Sequence, residues 1–354
     1  MDDAASPSDR AATTSGRRSR RPRPAFAALD LGTNNCRLLI AEPAGSGFRI
    51  VDSYSQIVRL GEGLASSGRL GEAAIRRTMA ALAQCARKIE TRDVVQTRCV
   101  ATQACRSAAN GADFLAEVER TIGLRLDVIS AEEEARLAVA GCAALLDPDA
   151  TMGLIVDIGG GSTELSFVDP RRVSSDGELA ILGWMSAPFG VVTLAERFGD
   201  ALDQAEPYAA LVAEIAEILA ASDCARFAPA FVAPGAHLIG TSGTVTSLAG
   251  VHLGLARYQR AKVDGLWMDM RDVRAAAAAL RAAGPSGRAA NACIGPDRAD
   301  LVAPGAAIVE AVARIWPAER IRVADRGLRE GMLLGMMAQA GALRRAPWGR
   351  RDDR

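Results

Sequence analysis

The stretch Leu154 to Phe167, L-I-V-D-I-G-G-G-S-T-E-L-S-F, decides how the rest of the chain is read. Its apolar start, Leu154-Ile155-Val156, runs into Asp157 and Ile158. Gly159, Gly160, Gly161 and Ser162 then make a tight turn, and Glu164 to Phe167 resumes with strand character. The pattern predicts a β-hairpin with an acid on each arm. Three successive residues without Cβ let backbone N–H groups come close to a ligand, and a nest of such amides suits phosphate oxygens. Asp157 and Glu164, flanking the turn, are candidates to hold a hard cation against the same phosphate. An ordinary glycine turn with two solvated acids fits this stretch equally well when it is taken alone.

The chain repeats the pattern. Ala28 to Ile40 reads A-L-D-L-G-T-N-N-C-R-L-L-I, and Asp30, Gly32 and Leu38 each precede Asp157, Gly159 and Leu165 by 127 residues. A motif recurring at a domain-sized interval predicts two similar domains facing each other across a cleft, each offering a hairpin to one ligand. Arg37 occupies in the first copy the place of Glu164 in the second. One hairpin would supply a cation and the other an acid.

At 354 residues the chain is long enough for two domains. The 42 basic and 42 acidic residues cancel, so no bulk charge favours nucleic acid or a membrane surface. The seven cysteines form no Cys-x-x-Cys pair and read as reduced, small apolar residues of a cytoplasmic protein. The two histidines, His237 and His252, lie far apart and neither forms a metal-ligand spacing with a cysteine, which argues against zinc. No apolar run approaches the ~18 residues of a membrane span.

Residues 1–25 are rich in Arg, Ser, Pro and Ala without periodicity and read as a disordered basic tail. Strands are expected at 26–31, 36–42 and 48–53, a helix at 71–90, a strand at 98–101, a helix at 113–122 and a strand at 126–129. Ser130 with Glu133 reads as a capping box opening a helix to Leu146, which would occupy Glu133 and leave Glu134 free to face elsewhere. After the central hairpin come a strand at 178–184, a turn followed by a short helix within 189–198, a helix at about 204–221, and a strand at 236–239. That strand enters the turn G-T-S-G-T (240–244), which opens a helix and aims amides at an anion. A helix at 271–283, a short piece at 289–294, a helix at 305–315 and a last helix to about 340 complete the pattern. Residues 342–354 read as a frayed tail. The division expected is 26–130, completed by the final helix 326–341, for the first domain, and 131–325 for the second. The class is α/β.

Neither a Walker A loop nor a G-x-G-x-x-G fingerprint is present, and two isolated histidines give no Ser-His-Asp set. Glycine and hydroxyl turns, clustered acids and isolated arginines suit phosphoryl chemistry. The paired hairpins, together with R-L-G-E-G-L (59–64), A-T-Q-A-C-R-S-A-A-N (101–110), I-S-A-E-E-E-A-R-L (129–137), F-G-V-V-T-L-A-E-R-F (189–198), G-T-S-G-T and D-R-G-L-R-E-G (325–331), closely resemble the exopolyphosphatase/guanosine pentaphosphate phosphohydrolase family. The resemblance runs in order from about 26 to 335.

It implies the actin/Hsp70/sugar-kinase superfamily, with two ribonuclease-H-like domains and a phosphate-binding cleft between them. It also implies hydrolysis of the terminal phosphoanhydride of polyphosphate or guanosine pentaphosphate with Mg²⁺; a homodimer is expected. Carried over by position, Glu134 resembles the family's catalytic glutamate, the general base on water. Gly159, Gly160, Gly161 and Ser162 resemble the phosphate loop, and Asp157 and Glu164 the metal-side acids. Arg37 and Arg298 resemble substrate arginines, while Gly32, Thr33, Asn34, Arg106, Gly243 and Thr244 fall among the substrate-binding positions. Transfer of the phosphate to ADP, or binding of guanosine tetra- or pentaphosphate without cleavage, are the alternatives that the residues leave open.

Overall fold

Two runs of buried apolar residues, Ala25–Leu31 (β1) and Met152–Ile158 (β6), sit at the centre of two sheets in the computed structural model, which describes residues 24–173 and 179–343. Residues 1–23 of the expected basic tail and 344–354 of the expected frayed tail lie outside the described residues. Ala25, placed by sequence in the tail, already opens β1, and Ala342 and Leu343 pack on the core.

The first sheet adds Asn35–Ala44 (β2), Gly47–Ile57 (β3), Val94–Ala101 (β4) and Asp127–Val128 (β5), in the order β3-β2-β1-β4-β5. The second adds Thr163–Val173 (β7), Leu179–Ala187 (β8), Ala236–Thr241 (β9), Trp267–Asp269 (β10) and Arg320–Ala324 (β11). Its order is β10-β11-β9-β6-β7-β8. Counted from the hairpin edge, the two sheets match: an antiparallel meander, then parallel neighbours. The second carries one further antiparallel edge strand, β10, which at three residues is too short to show a period in the sequence.

Both central strands are covered on both faces, which is why they read as near-continuous apolar runs. On β1, Ala27, Leu29 and Leu31 face the helices Glu72–Glu90 and Gly111–Ile122 through Leu82, Cys85, Phe114 and Val118. Phe26 and Ala28 face the last helix, Leu328–Gln339, through Met332, Leu333 and Met336. In the second sheet, Leu154, Val156 and Phe167 meet the helices Ala205–Ala220 and Val302–Ile315, whereas Ile155 and Ile239 meet Val139 and Cys142 of the helix Ala131–Cys142. That helix also lends Leu137 to the cluster on the first sheet.

It crosses the last helix at glycines. A Cβ on Gly141 would stand 2.0 Å from Gly327 O, and one on Gly331 2.0 Å from Leu137 O, so the backbones themselves are in contact. The two faces that carry Asp30 and Asp157 are therefore drawn together around this crossing.

One helix differs from expectation. In place of a piece at 289–294, the helix runs Gly284–Ala290: Gly284, at φ 64°, breaks the preceding helix Met270–Ala282, and Pro285 restarts at the position where a missing N–H costs nothing. Cys293 and Ile294 are buried in the turn that follows. Among the described residues no helix is long and apolar enough to cross a membrane.

Candidate active site

The two hairpin turns close with the same bond. Gly32 N donates to Asn35 O at 2.9 Å, and Gly159 N donates to Ser162 O at 2.9 Å. Below each turn the register is equivalent, Asp30 opposite Arg37 and Asp157 opposite Glu164. The tips touch. A Cβ on Gly160 would lie 3.0 Å from Thr33 Cβ and 3.2 Å from Asn34 N, so glycine allows one turn to seat on the other.

Between them opens a cleft of about 640 Å³. It is lined by Gly32, Thr33, Asn34 and Arg37 of the first hairpin and by Asp157, Gly159, Gly160, Gly161, Ser162 and Glu164 of the second. Glu134, Gly243, Thr244 and Arg298 complete the expected set. Arg106 is the exception. Its Nη1 donates to Ile129 O at 2.7 Å and to Glu134 Oε2 at 3.4 Å, and it stands behind Glu134 instead of lining the cleft. The short helix Gln103–Ser107 that follows β4 turns Arg106 toward the start of the helix Ala131–Cys142, a packing relation that the sequence could not show.

Glu134 reaches the cleft from the first turn of the helix Ala131–Cys142. Ser130 caps that helix by accepting from Glu133 N at 3.1 Å. The reciprocal half of the expected capping box does not form, because the Glu133 carboxylate pairs with Arg98 of β4. Glu133 is thus held by an ion pair, and Glu134 stays turned to the cleft with Arg106 at its back. Burial pushes the Glu134 carboxyl up to about 9, with the charges of Glu164, Asp30 and Asp157 adding to the rise and Arg106 opposing it.

Burial likewise lifts Asp157 to about 7, helped by Glu164 and Asp30. Asp30 and Glu164 are raised for the same first reason; Glu164 is steadied by Ser186 Oγ, which donates at 2.8 Å. Four acids thus crowd one desolvated cleft. A cation would relieve that crowding.

Whether these residues suit Mg²⁺ can be judged from the donors. Among the described residues no group of three or more Asp, Glu, His or Cys side chains is placed to hold a metal. Mg²⁺ is ordinarily bound through one or two carboxylates, retained waters and substrate phosphates, not through an all-protein cage, and the Asp157–Glu164 pair fits that use. Three buried polar atoms in the cleft lining, Asn34 Oδ1, Ser242 Oγ and Ser247 Oγ, have no hydrogen-bond partner, which fits a site built for a hydrated ion and its anion. Ser242 also sits at φ 96°, a region that residues with a Cβ rarely adopt, where β9 turns into the helix Gly243–His252.

Asp30 and Arg329, which lie in the motifs quoted above but outside the expected site residues, also line the cleft. In D-R-G-L-R-E-G each neighbour is engaged: Arg326 with Asp264, Asp325 with Tyr258 Oη at 2.6 Å, and Glu330 with Arg260 at 3.0 Å and Gly327 N at 2.9 Å. Arg329 has no such acceptor among the described residues, and neither have Arg37 and Arg298. All three line the cleft. Burial and the nearby Arg37 charge lower the Arg329 pKa, while Glu330 and Asp30 oppose this.

With this geometry in view, the comparisons with known proteins are specific. Residues 39–340 match the model of the Ppx/GppA phosphatase family. The chain is 30% identical over 328 residues to exopolyphosphatase 2 of Mycobacterium tuberculosis, covering 88% of this chain and 98% of that protein. It is 28% identical over 317 residues to the guanosine-5'-triphosphate,3'-diphosphate pyrophosphatase of Aeromonas salmonicida, where the match spans 89% of this chain but 60% of the relative's length.

Among solved structures, a Ppx/GppA family member from Aquifex aeolicus superposes with a TM-score of 0.72 at 28% identity, covering 90% of this chain and 99% of that one. An exopolyphosphatase-like protein reaches 0.79 at 28% identity, with 89% and 99% covered. The expected α/β architecture, two sheet-centred units with a cleft between them, is the one observed, and it is shared with these family structures. The chain belongs to the Ppx/GppA phosphatase family.

Proposed function

We infer that the protein hydrolyses the terminal phosphoanhydride of a short inorganic polyphosphate or of guanosine pentaphosphate, the substrates that its relatives' names point to. The observation that carries this reading is Glu134: a largely buried acid beside a glycine turn, raised by burial, with Arg106 at 3.4 Å and no lysine or histidine lining the cleft. A carboxylate of raised basicity is suited to take a proton from water as the bond to phosphorus forms. In that step a water oxygen attacks the terminal phosphorus, its proton passes to Glu134 Oε, and the bridging oxygen leaves with the rest of the chain.

The amides of Gly160 and Gly161 and the free donors of Arg37 and Arg298 would hold the phosphate oxygens in place. Asp157 and Glu164 would hold Mg²⁺, which when bound supplies charge to offset that of the phosphate. Arg106 keeps Glu134 aimed and opposes the rise in its pKa. The network does not choose between water and ADP as acceptor. Phosphate release from tripolyphosphate and from guanosine pentaphosphate, each with and without ADP and with Mg²⁺ or excess chelator, tests the reading. Metal-dependent release of free phosphate without ADP is expected. Phosphate appearing only as ATP would replace hydrolysis by transfer, and full activity in chelator would remove the cation from the account.

A further inference from the structure

The loop from Val58 to Gly63 carries none of the chemistry above, yet it ties together three segments that line the cleft. Val58 N and Arg59 N donate to Asn34 O at 2.9 and 3.0 Å, and Gly61 N donates to Thr33 O at 2.9 Å. Gly61 makes that approach possible, since a Cβ there would stand 2.3 Å from Thr33 Cγ2. Arg77 braces the loop from the helix Glu72–Glu90, its Nε donating to Val58 O at 3.0 Å and its Nη2 to Glu62 Oε2 at 2.6 Å. So anchored to the first hairpin, the loop reaches across to the other half of the molecule. Gly63 N donates to Glu196 Oε1 at 2.8 Å.

Arg59 makes the larger contact. Its Nη1 and Nη2 donate to Asp300 Oδ2 and Oδ1 at 2.9 Å each, and Nη2 also donates to Asp297 O at 3.1 Å. The two acceptors stand on either side of Arg298. Arg298 itself lines the cleft, with Nη1 3.5 Å from the position a Cβ on Gly243 would take. Arg59 holds this grip from a left-handed backbone, φ 47°, a conformation that a residue with a Cβ keeps only where its surroundings impose it. Because the pair is partly exposed, at 32% and 41% for the two side chains, its contribution to stability is small. What the bidentate fork supplies is geometry.

We propose that Arg59 is a positioning residue: it fixes the Asp297–Asp300 turn so that Arg298 faces the substrate phosphate, and it ties that arginine to the turn of the first hairpin. The proposal rests on the assignment of Arg298 to the substrate. Lysine would keep the charge and lose the fork, and Asp300→Asn would keep the shape and lose the second charge.

The test is a double-mutant cycle on tripolyphosphate with Mg²⁺, comparing wild type, Arg59→Lys, Asp300→Asn, Arg298→Ala and Arg59→Lys with Arg298→Ala. Arg59→Lys and Asp300→Asn should each raise KM about tenfold, the effect of one misplaced charge-assisted hydrogen bond, and leave kcat near wild type. Melting temperatures should stay within about 2 °C. In the Arg298→Ala background the Arg59→Lys change should add nothing, because the group it positions is gone. An undiminished Arg59→Lys effect in that background, or an unchanged KM in both single variants, would overturn the proposal. Calorimetric binding of tripolyphosphate to the same set should give the same ranking, so binding without phosphate release would fault the hydrolysis reading and leave the positioning role standing.

Discussion

The two hairpins share one frame and differ in what stands across from the aspartate. In the first, Asp30 faces Arg37, an opposite-charge pair across the strands; in the second, Asp157 faces Glu164, two acids at the equivalent register. Like charges directly opposite destabilise a sheet, and here Glu164 is buried and Asp157 partly so. The first hairpin carries an opposing charge at that register, which partly offsets the burial of Asp30, whereas the second carries none. That asymmetry is what supports the proposal of a phosphate-gripping arginine on one turn and a cation on the other. The turns differ in the same sense: Thr33 provides a side chain where Gly160 provides none, and the two fit together at the tips.

Making the second hairpin resemble the first is the strongest way to break the comparison. Glu164→Arg should abolish Mg²⁺-dependent phosphate release, a loss of at least about 10²-fold in kcat/KM from removed charge stabilisation. Because the new arginine lies opposite Asp157, the fold should persist, as circular dichroism and melting would show. A metal-independent enzyme of normal rate would contradict the assignment. Neutralising the first hairpin is milder. Arg37→Gln should raise KM by about 10- to 100-fold with a smaller change in kcat, as expected for one charge-assisted contact. An effect confined to melting temperature would mean that Arg37 only neutralises Asp30.

The smallest effect should appear in stability against pH. Glu134 and Asp157 have folded-state values, about 9 and about 7, above their ordinary ones of 4.5 and 3.8. The native state therefore holds protons that the unfolded chain has released, and stability is lost as pH rises from the ordinary range through those values. In chelator, melting temperature should fall between about pH 5 and pH 9, and Mg²⁺ should restore more of it at pH 9 than at pH 5. Glu134→Gln should flatten the slope. A melting temperature that climbs over this range in wild type and not in the variant would reverse the sign and refute the crowding.

Much of this was legible in the sequence because the repeat at 127 residues carries register with it: once both turns are read as hairpins, Asp30–Arg37 and Asp157–Glu164 follow from pairing alone. The cleft followed from the same repeat. What stayed hidden depends on contacts between distant segments. The engagement of Glu133 with Arg98 lies in the packing of β4 beside a later helix, and a capping-box pattern cannot announce that competitor. Arg106 falls among the substrate-binding positions by resemblance, whereas in the structure its side chain donates to Ile129 O and Glu134 Oε2. Arg329 became visible only when each neighbouring charge had been seen to pair with something else.

The central claim is that Glu134 performs chemistry and does not merely fill a helix's first turn. Glu134→Gln keeps the shape and removes the base, so kcat for tripolyphosphate should fall by about 10²–10⁴-fold while the calorimetric affinity for the same ligand is retained or improved. Glu133→Gln, which disturbs only the Arg98 ion pair, should turn over at close to the normal rate. Normal turnover by the Glu134 variant, with at most a small shift in melting temperature, would contradict the account.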